Sequence, residues 1–159
     1  MTDVPTAAAN LRAAAGWTNQ LEGRTVPTGG YMGTPTLSYT LREPVGVVGA
    51  IVPWNSPGLP TANKRGPAIA ARNAVVLKPS PFAPRAVSLL ATLAAEELPD
   101  GVVNIVNGDA EVVQTLVDDA RVRKISFTGG GATARHIIRH APDSLPPIPF
   151  DVGGHDPAL

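Results

Sequence analysis

The fold is decided by residues 45–55, which read Val-Gly-Val-Val-Gly-Ala-Ile-Val-Pro-Trp-Asn. An uncharged run rich in valine is typical of a strand that is buried on both faces of a sheet. Pro53 cannot donate the next hydrogen bond of the strand ladder, so we expect the strand to end there. Trp54 and Asn55 then follow its carboxyl end, and in open α/β sheets ligands bind at that edge.

The composition excludes several classes of protein. The chain has 159 residues, enough for one domain, and its 13 basic and 13 acidic residues cancel, which argues against nucleic acid as a partner. No apolar run is long enough to span a membrane, so we expect a soluble, cytoplasmic protein. The absence of cysteine removes disulfides, thiolate metal sites and any thiol nucleophile.

From residue 45 onward, predicted strands alternate with predicted helices. The strands are 45–53, 74–78, 102–106, 123–127 and 149–152, and the helices are 61–72, 84–97, 110–119 and 132–140. This order predicts an α/β fold with a Rossmann-like parallel sheet and flanking helices. Because Pro57, Pro60 and Pro67 remove hydrogen bonds, we expect the first of these helices to be short or broken.

The N-terminal part of the chain has a different pattern. Residues 6–22, rich in alanine and leucine, predict a helix. In residues 36–41, Leu37, Tyr39 and Leu41 alternate with polar residues, which predicts a half-buried antiparallel strand. The sequence offers this strand no convincing partner, so it would present an exposed edge.

Two further segments end at the predicted binding edge. Residues 127–133, Phe-Thr-Gly-Gly-Gly-Ala-Thr, join a strand to a helix, and glycines followed by a helix N-terminus can accommodate a phosphate. Lys78 closes another strand, where its ammonium could contact ribose or phosphate oxygens. Taken singly, each is better explained as a permissive turn or a solvated lysine. Their convergence on one edge favours a nucleotide site.

Five segments closely resemble the aldehyde dehydrogenase superfamily in order and spacing. They are residues 42–55, residues 66–80 (Gly-Pro-Ala-Ile-Ala-Ala-Arg-Asn-Ala-Val-Val-Leu-Lys-Pro-Ser), residues 101–108 (Gly-Val-Val-Asn-Ile-Val-Asn-Gly), residues 125–129 (Ile-Ser-Phe-Thr-Gly) and residues 151–154 (Asp-Val-Gly-Gly). The resemblance implies an N-terminal helix and bridging strand over 1–43 and a nucleotide-binding domain over 44–159. It covers a central slice of the family's chain and leaves out the catalytic domain.

The resemblance also assigns roles and implies NAD or NADP as cofactor. The residue matching Asn55 stabilises the oxyanion formed from a small aldehyde, and the residue matching Asp151 is the general base. The implied cofactor-binding residues are Ile51, Val52, Pro53, Trp54, Lys78, Ser80, Gly108, Phe127, Gly129, Gly130, Val152 and Gly153. Lys78 would bind the adenosine ribose. The family commonly has a glutamate shortly after this lysine, whereas the chain has Ser80 and Pro81, which leaves the choice between NAD and NADP open.

The catalytic positions depart from the family. Asp151 replaces a glutamate and is one methylene shorter, and a misplacement of about 1 Å can cost on the order of 10²-fold in rate. The family's nucleophilic cysteine lies beyond the position where this chain ends. We therefore expect a protein that binds NAD(P) but does not oxidise aldehydes alone.

Two alternatives remain open at this point. One is a small non-redox enzyme in which burial at the strand end makes Asp151 an acid or base. The other is a non-catalytic partner that forms an oligomer or completes another chain. His136 and His140 stand four residues apart on a predicted helix, but neighbouring arginines favour a solvated face, and we predict no metal site there.

Overall fold

The computed structural model describes residues 3–140 and 148–153. In chain order its elements are α1 (Asp3–Trp17), β1 (Thr25–Val26), β2 (Ser38–Tyr39), β3 (Val47–Val52), α2 (Gly58–Ala70), β4 (Ala74–Pro79), α3 (Pro84–Glu97), β5 (Val103–Ile105), α4 (Ala110–Asp118), β6 (Val122–Gly129), α5 (Gly131–His140) and β7 (Phe150–Val152). Five strands form a parallel sheet in the order β5-β4-β3-β6-β7. The predicted α/β fold is confirmed.

The central strand β3 is buried on both faces, as its sequence predicts. Ala50 and Val52 pack into the apolar layer that includes Leu77 and Val87, whereas Ile51 packs into the opposite layer with Ile125. The two layers lie on opposite faces of the sheet because successive side chains of a strand alternate. The polar residues that follow β3 are therefore presented by a well-packed strand.

Helix α2 is continuous over 13 residues, so the prediction that it is short or broken was wrong. Pro57 immediately precedes it, and Pro60 lies in its first turn, where backbone N–H groups have no acceptor within the helix. Only Pro67 lies in its interior, at a cost of about 3 kcal/mol. Gly66 packs so closely on α1 that an added Cβ would lie 2.9 Å from the Ala14 Cβ. This packing offsets the cost.

The N-terminal segment differs from its prediction in two respects. Helix α1 ends at Trp17 instead of residue 22, and the Thr18 hydroxyl donates to the Ala15 carbonyl just beyond it. The strand around Tyr39 has a partner after all, because β1 and β2 pair antiparallel, with Thr25 opposite Tyr39. A two-residue strand is too short to reveal itself by alternation.

The antiparallel pair is also not half-buried as expected. Leu37, Tyr39 and Leu41 are 79%, 59% and 71% exposed in the described part of the chain. Among the described residues, no helix is both long and apolar enough to cross a membrane.

A long-range contact fixes the start of α2. The Asp3 carboxylate accepts hydrogen bonds from the backbone N–H groups of Gly58 (2.9 Å) and Leu59 (2.7 Å). Without Asp3 the Gly58 amide would lack an acceptor, whereas the Leu59 amide also donates to the Ser56 carbonyl at 3.2 Å. A carboxylate at this end of the helix also interacts favourably with the helix dipole. The contact holds the helix that directly follows Trp54 and Asn55.

Candidate functional site

A cleft of about 810 Å³ runs along the carboxyl edge of the sheet. It collects the segment after β3, the end of β4, the turn from β6 into α5, and β7. Its lining includes Ile51, Val52, Pro53, Trp54, Asn55, Lys78, Ser80, Thr128, Gly129, Gly130, Asp151, Val152 and Gly153. Residues from four separate segments therefore share one surface, which the parallel topology places at one edge.

The segment after β3 presents polar and aromatic groups to this cleft. Trp54 is 62% exposed, and the backbone of Ser56 has a φ of 45° as the chain turns into α2. The Asn55 side chain is exposed and makes no hydrogen bond with any described residue. An amide in this position is free to donate to a ligand oxygen.

Lys78 is the buried cation of the site. It pairs with Ile51 across β3 and β4, and the residue is only 4% exposed. Within the described residues its ammonium has no hydrogen-bond partner, and burial lowers the pKa of Lys78 while the charge of Asp109 acts in the opposite direction. An ammonium that reaches the cleft from a largely buried side chain and has no hydrogen-bond partner is suited to an oxygen-rich ligand.

In the turn from β6 into α5, Gly129 packs against the core and Gly130 faces open space. The Phe127 side chain is 2% exposed and packs on Phe150 at a ring-centroid distance of 5.8 Å. A Cβ on Gly129 would lie 2.7 Å from the Phe127 ring, whereas one on Gly130 would meet nothing within 4 Å. The backbone at Gly130 is therefore open to a ligand just before α5 begins.

The edge strand β7 brings Asp151 to the cleft. Its register places Asp151 opposite Thr128, and the Thr128 hydroxyl donates to the Asp151 carboxylate at 3.2 Å. The Asp151 side chain is exposed. The alternative of a non-redox enzyme requires Asp151 to be buried, and the structure does not show this burial.

Lys64 is a charged neighbour of this site that the sequence analysis missed. It lies on α2, and its ammonium donates to the Ser126 hydroxyl at 2.9 Å. Burial lowers the pKa of Lys64 to about 8, against the opposing influence of the Asp151 carboxylate. No motif marks this lysine, because its contact with Ser126 depends on how α2 packs on the sheet.

The structure gathers all but two of the predicted site residues in the cleft. Gly108 instead lines an adjoining pocket, and Phe127 lies beneath the surface in the core. In the described part of the chain no group of three or more metal-ligating side chains occurs. His136 and His140 stack with ring centroids 4.1 Å apart on the exposed face of α5, and neither lines the cleft.

The parallel sheet and its edge cleft define a Rossmann-like α/β domain, and comparison with known proteins assigns it to a family. The model of the aldehyde dehydrogenase family matches residues 1–159. The chain belongs to the aldehyde dehydrogenase family, as its motifs predict.

Individual relatives agree with this assignment. The chain is 42% identical over 158 residues to an aldehyde dehydrogenase from Deinococcus radiodurans, covering 99% of the chain and 30% of the relative. A solved NAD-dependent aldehyde dehydrogenase from Sinorhizobium meliloti is 36% identical with a TM-score of 0.90, covering 98% of this chain and 31% of that one.

A third relative carries the other cofactor. A glyceraldehyde-3-phosphate dehydrogenase from Methanocaldococcus jannaschii, solved in complex with NADP, is 33% identical with a TM-score of 0.85, and the match covers 96% of this chain and 33% of that one. The chain thus spans about a third of the length of the proteins that it matches.

Proposed function

We propose that this chain forms the NAD(P)-binding part of an aldehyde dehydrogenase site. The observation that carries the proposal is the cleft itself, where the partnerless ammonium of Lys78 and the open backbone at Gly130 lie on the same edge. A dinucleotide needs both features, since its ribose hydroxyls accept from a cation and its pyrophosphate needs close backbone approach.

We assign the residues of the cleft to successive parts of this cofactor. Lys78 and Ser80 bind the adenosine ribose, and Gly130 admits the pyrophosphate at the start of α5. Trp54 and the residues before it flank the nicotinamide, and Val152 and Gly153 close the opposite wall. When bound, the cofactor supplies the acceptor for hydride.

Two polar side chains then serve the substrate end. The free amide of Asn55 donates to the oxygen of a small aldehyde as negative charge develops, a contribution of about 3 kcal/mol in favourable sites. Asp151, held by Thr128, accepts a proton from water. The thiol that attacks the aldehyde in this family has no counterpart among the 159 residues, which contain no cysteine. The chain alone therefore binds NAD(P) without oxidising aldehydes.

Calorimetric titration of the 159-residue chain with NAD and NADP, followed by an absorbance assay for the reduced cofactor with added aldehydes, tests the proposal. Saturable binding without reduction is the expected result. If neither dinucleotide binds, the proposed site is wrong. If the pure chain reduces the cofactor in the presence of aldehyde, the claim that a thiol from elsewhere is required is wrong.

One observation supports a second role, in association with another copy of this chain. Leu37, Tyr39 and Leu41 form an exposed apolar row on the β1–β2 pair, and an unpartnered strand edge with apolar side chains favours pairing with another strand. We expect a dimer by light scattering that the double substitution Leu37→Lys with Leu41→Lys converts to a monomer. A monomeric unsubstituted chain would contradict this role.

A further inference from the structure

A separate pocket, called here the helix pocket, lies between helices α1, α2 and α3. Among the described residues it shares no lining residue with the cleft at the sheet edge. Its volume is about 270 Å³. This is slightly below the range of about 300–1,000 Å³ in which drug-sized ligands bind, so an occupant of the helix pocket would be small.

The walls of the helix pocket are mostly apolar. Leu11 of α1, Ile69 of α2 and Leu98 just after α3 are the largest aliphatic side chains among them. The Thr18 hydroxyl already donates to a backbone carbonyl, so it is not free to bind a ligand as a donor. Within the described residues, Arg65 is therefore the one charged group that a ligand in this pocket would meet.

Arg65 is buried, yet most of its hydrogen-bond donors are unused. The residue is 6% exposed, and its Nη1 donates to the Leu90 carbonyl at 2.6 Å, the one hydrogen bond that it makes with a described residue. Gln114 Oε1 is the only fully enclosed side-chain polar atom without a partner in the described part of the chain. The other nitrogens of Arg65 therefore reach open space, and the pocket that this residue lines provides it.

The charge of Arg65 is also uncompensated. Burial lowers the pKa of Arg65, and in the described structure no carboxylate acts in the opposite direction. The buried amines differ in this respect, because Asp151 acts on Lys64 and Asp109 acts on Lys78. A guanidinium keeps its proton even when buried, and a buried charge without a counter-charge is unfavourable. An anion in the helix pocket would remove this cost.

We propose that the helix pocket binds a small carboxylate that carries an alkyl chain. The guanidinium of Arg65 donates to the carboxylate oxygens, for which its planar fork is well suited. The aliphatic side chains of Leu11, Ile69 and Leu98 cover the alkyl chain. This site is separate from the proposed cofactor cleft and does not depend on it.

Three probes separate the charge from the alkyl chain. Hexanoate carries both, hexanamide has nearly the same shape without the charge, and acetate has the charge without the chain. Titration of the isotope-labelled 159-residue chain at pH 7, followed by nuclear magnetic resonance of the Arg65 Nε–H group, gives the three Kd values. We expect hexanoate to bind at least about tenfold more tightly than hexanamide and than acetate.

Two substitutions place the ligand in the helix pocket. Arg65→Met identifies the Arg65 signal by its loss, and it should abolish the preference for hexanoate over hexanamide. Ala15→Leu fills the pocket from an exposed position and keeps the guanidinium, so it should weaken hexanoate binding at least about tenfold. The matched controls are Arg12→Met and Ala13→Leu, exposed positions of α1 outside the pocket lining, which should bind hexanoate normally. Circular dichroism checks that each variant is folded.

Several outcomes would overturn the proposal. If hexanoate leaves the Arg65 signal unchanged, or binds no better than hexanamide, the guanidinium does not anchor a carboxylate. If Ala15→Leu binds hexanoate normally, the ligand lies elsewhere on the chain. If the Arg65 signal of the free chain shifts with protein concentration, a carboxylate of a second copy occupies the pocket instead. None of these results bears on the cofactor cleft, which the titrations with NAD and NADP test separately.

Discussion

Gly129 and Gly130 are adjacent, yet the structure gives them different tasks. A methyl group at Gly129 would lie 2.7 Å from the buried Phe127 ring, whereas one at Gly130 would meet open space. We expect Gly129→Ala to lower the free energy of unfolding by about 1–3 kcal/mol, the usual cost of overpacking.

Gly130→Ala is the matched substitution. It should change the free energy of unfolding by less than about 0.5 kcal/mol, since it creates no clash. It should nevertheless weaken NAD(P) binding, because the methyl group occupies the path of the pyrophosphate. Urea denaturation and calorimetric titration of both variants measure the two effects. Equal stability losses in the two variants would contradict the division of tasks.

Lys64 makes stability depend on pH in a predictable direction. Burial lowers its pKa from 10.5 to about 8 in the folded protein, so between these values the unfolded chain binds more protons than the folded one. The contribution of Lys64 to the free energy of unfolding therefore rises with pH from about 8 to about 10.5. Below that window the folded state carries the full cost of burying the charge.

Lys64→Met tests this dependence. The methionine variant should gain stability relative to the unsubstituted chain at pH 7, and the gain should shrink as the pH approaches 10. Urea denaturation at several pH values measures it, with Lys124→Met on β6 as the control. A difference that stays constant between pH 7 and 10 would rule out the proposed burial cost.

Some residues of the site could be predicted from the sequence and others could not. The positions of Asn55 and Lys78 follow from strand ends, because the end of a buried strand is visible in its composition. Lys64 has no such signal, since its contact with Ser126 joins residues 62 positions apart. The resemblance assigns Phe127 to the cofactor site, whereas its side chain lies in the core. The sequence could not predict this burial, because a motif specifies the identity of a residue and not the face on which its side chain lies.

At the scale of elements, boundaries are predictable where local chemistry marks them. Helix α3 runs over the predicted 84–97, with Pro84 at its start and an extended Leu98 before Pro99 at its end. The length of α2 was predicted wrongly because the cost of Pro67 is visible in the local sequence. The packing of Gly66 on α1, which offsets that cost, is a contact between distant residues and is not visible there. The β1–β2 pair was missed because its strands are too short for a pattern.

The Asp3 carboxylate of α1 caps the start of α2, and this contact between two helices should have a measurable effect on stability. Asp3→Ala removes the two carboxylate oxygens that accept from the Gly58 and Leu59 amides and should lower the free energy of unfolding by about 1 kcal/mol, within a range of about 0.5–2. Urea denaturation measures the loss. Glu96→Ala, an exposed carboxylate on α3, serves as the control and should change little.

The same substitution should also weaken NAD(P) binding, because α2 begins directly after the segment that carries Trp54 and Asn55. Asp3→Asn keeps one oxygen acceptor and is expected to fall between the unsubstituted chain and the alanine variant in both measurements. If Asp3→Ala matches Glu96→Ala in stability, the cap does not contribute.

At the scale of the whole molecule, the site exists because the sheet joins distant segments. Strand β7 pairs with β6 and so places Asp151 beside Thr128, although 23 residues separate them. The resemblance to the aldehyde dehydrogenase family singled out Asp151 as a site residue, but only the register of the sheet shows that Thr128 is its hydrogen-bond partner. The fold could be predicted almost completely because each strand and helix has its own pattern, whereas the contacts between elements could not.

A cofactor that binds across these segments should stabilise the whole domain. Binding to the folded state alone adds about 2.7 kcal/mol at a ligand concentration 100 times the Kd, which for a chain of this length corresponds to a rise in Tm of about 5–10 °C. Thermal denaturation with and without NADP measures this rise. Gly130→Ala should reduce it, whereas Gly16→Ala, a substitution into open space on α1, should leave it intact. A rise that is equal in both variants would mean that the ligand binds outside the cleft, since a site built from four strand ends must lose affinity when one of those ends is blocked.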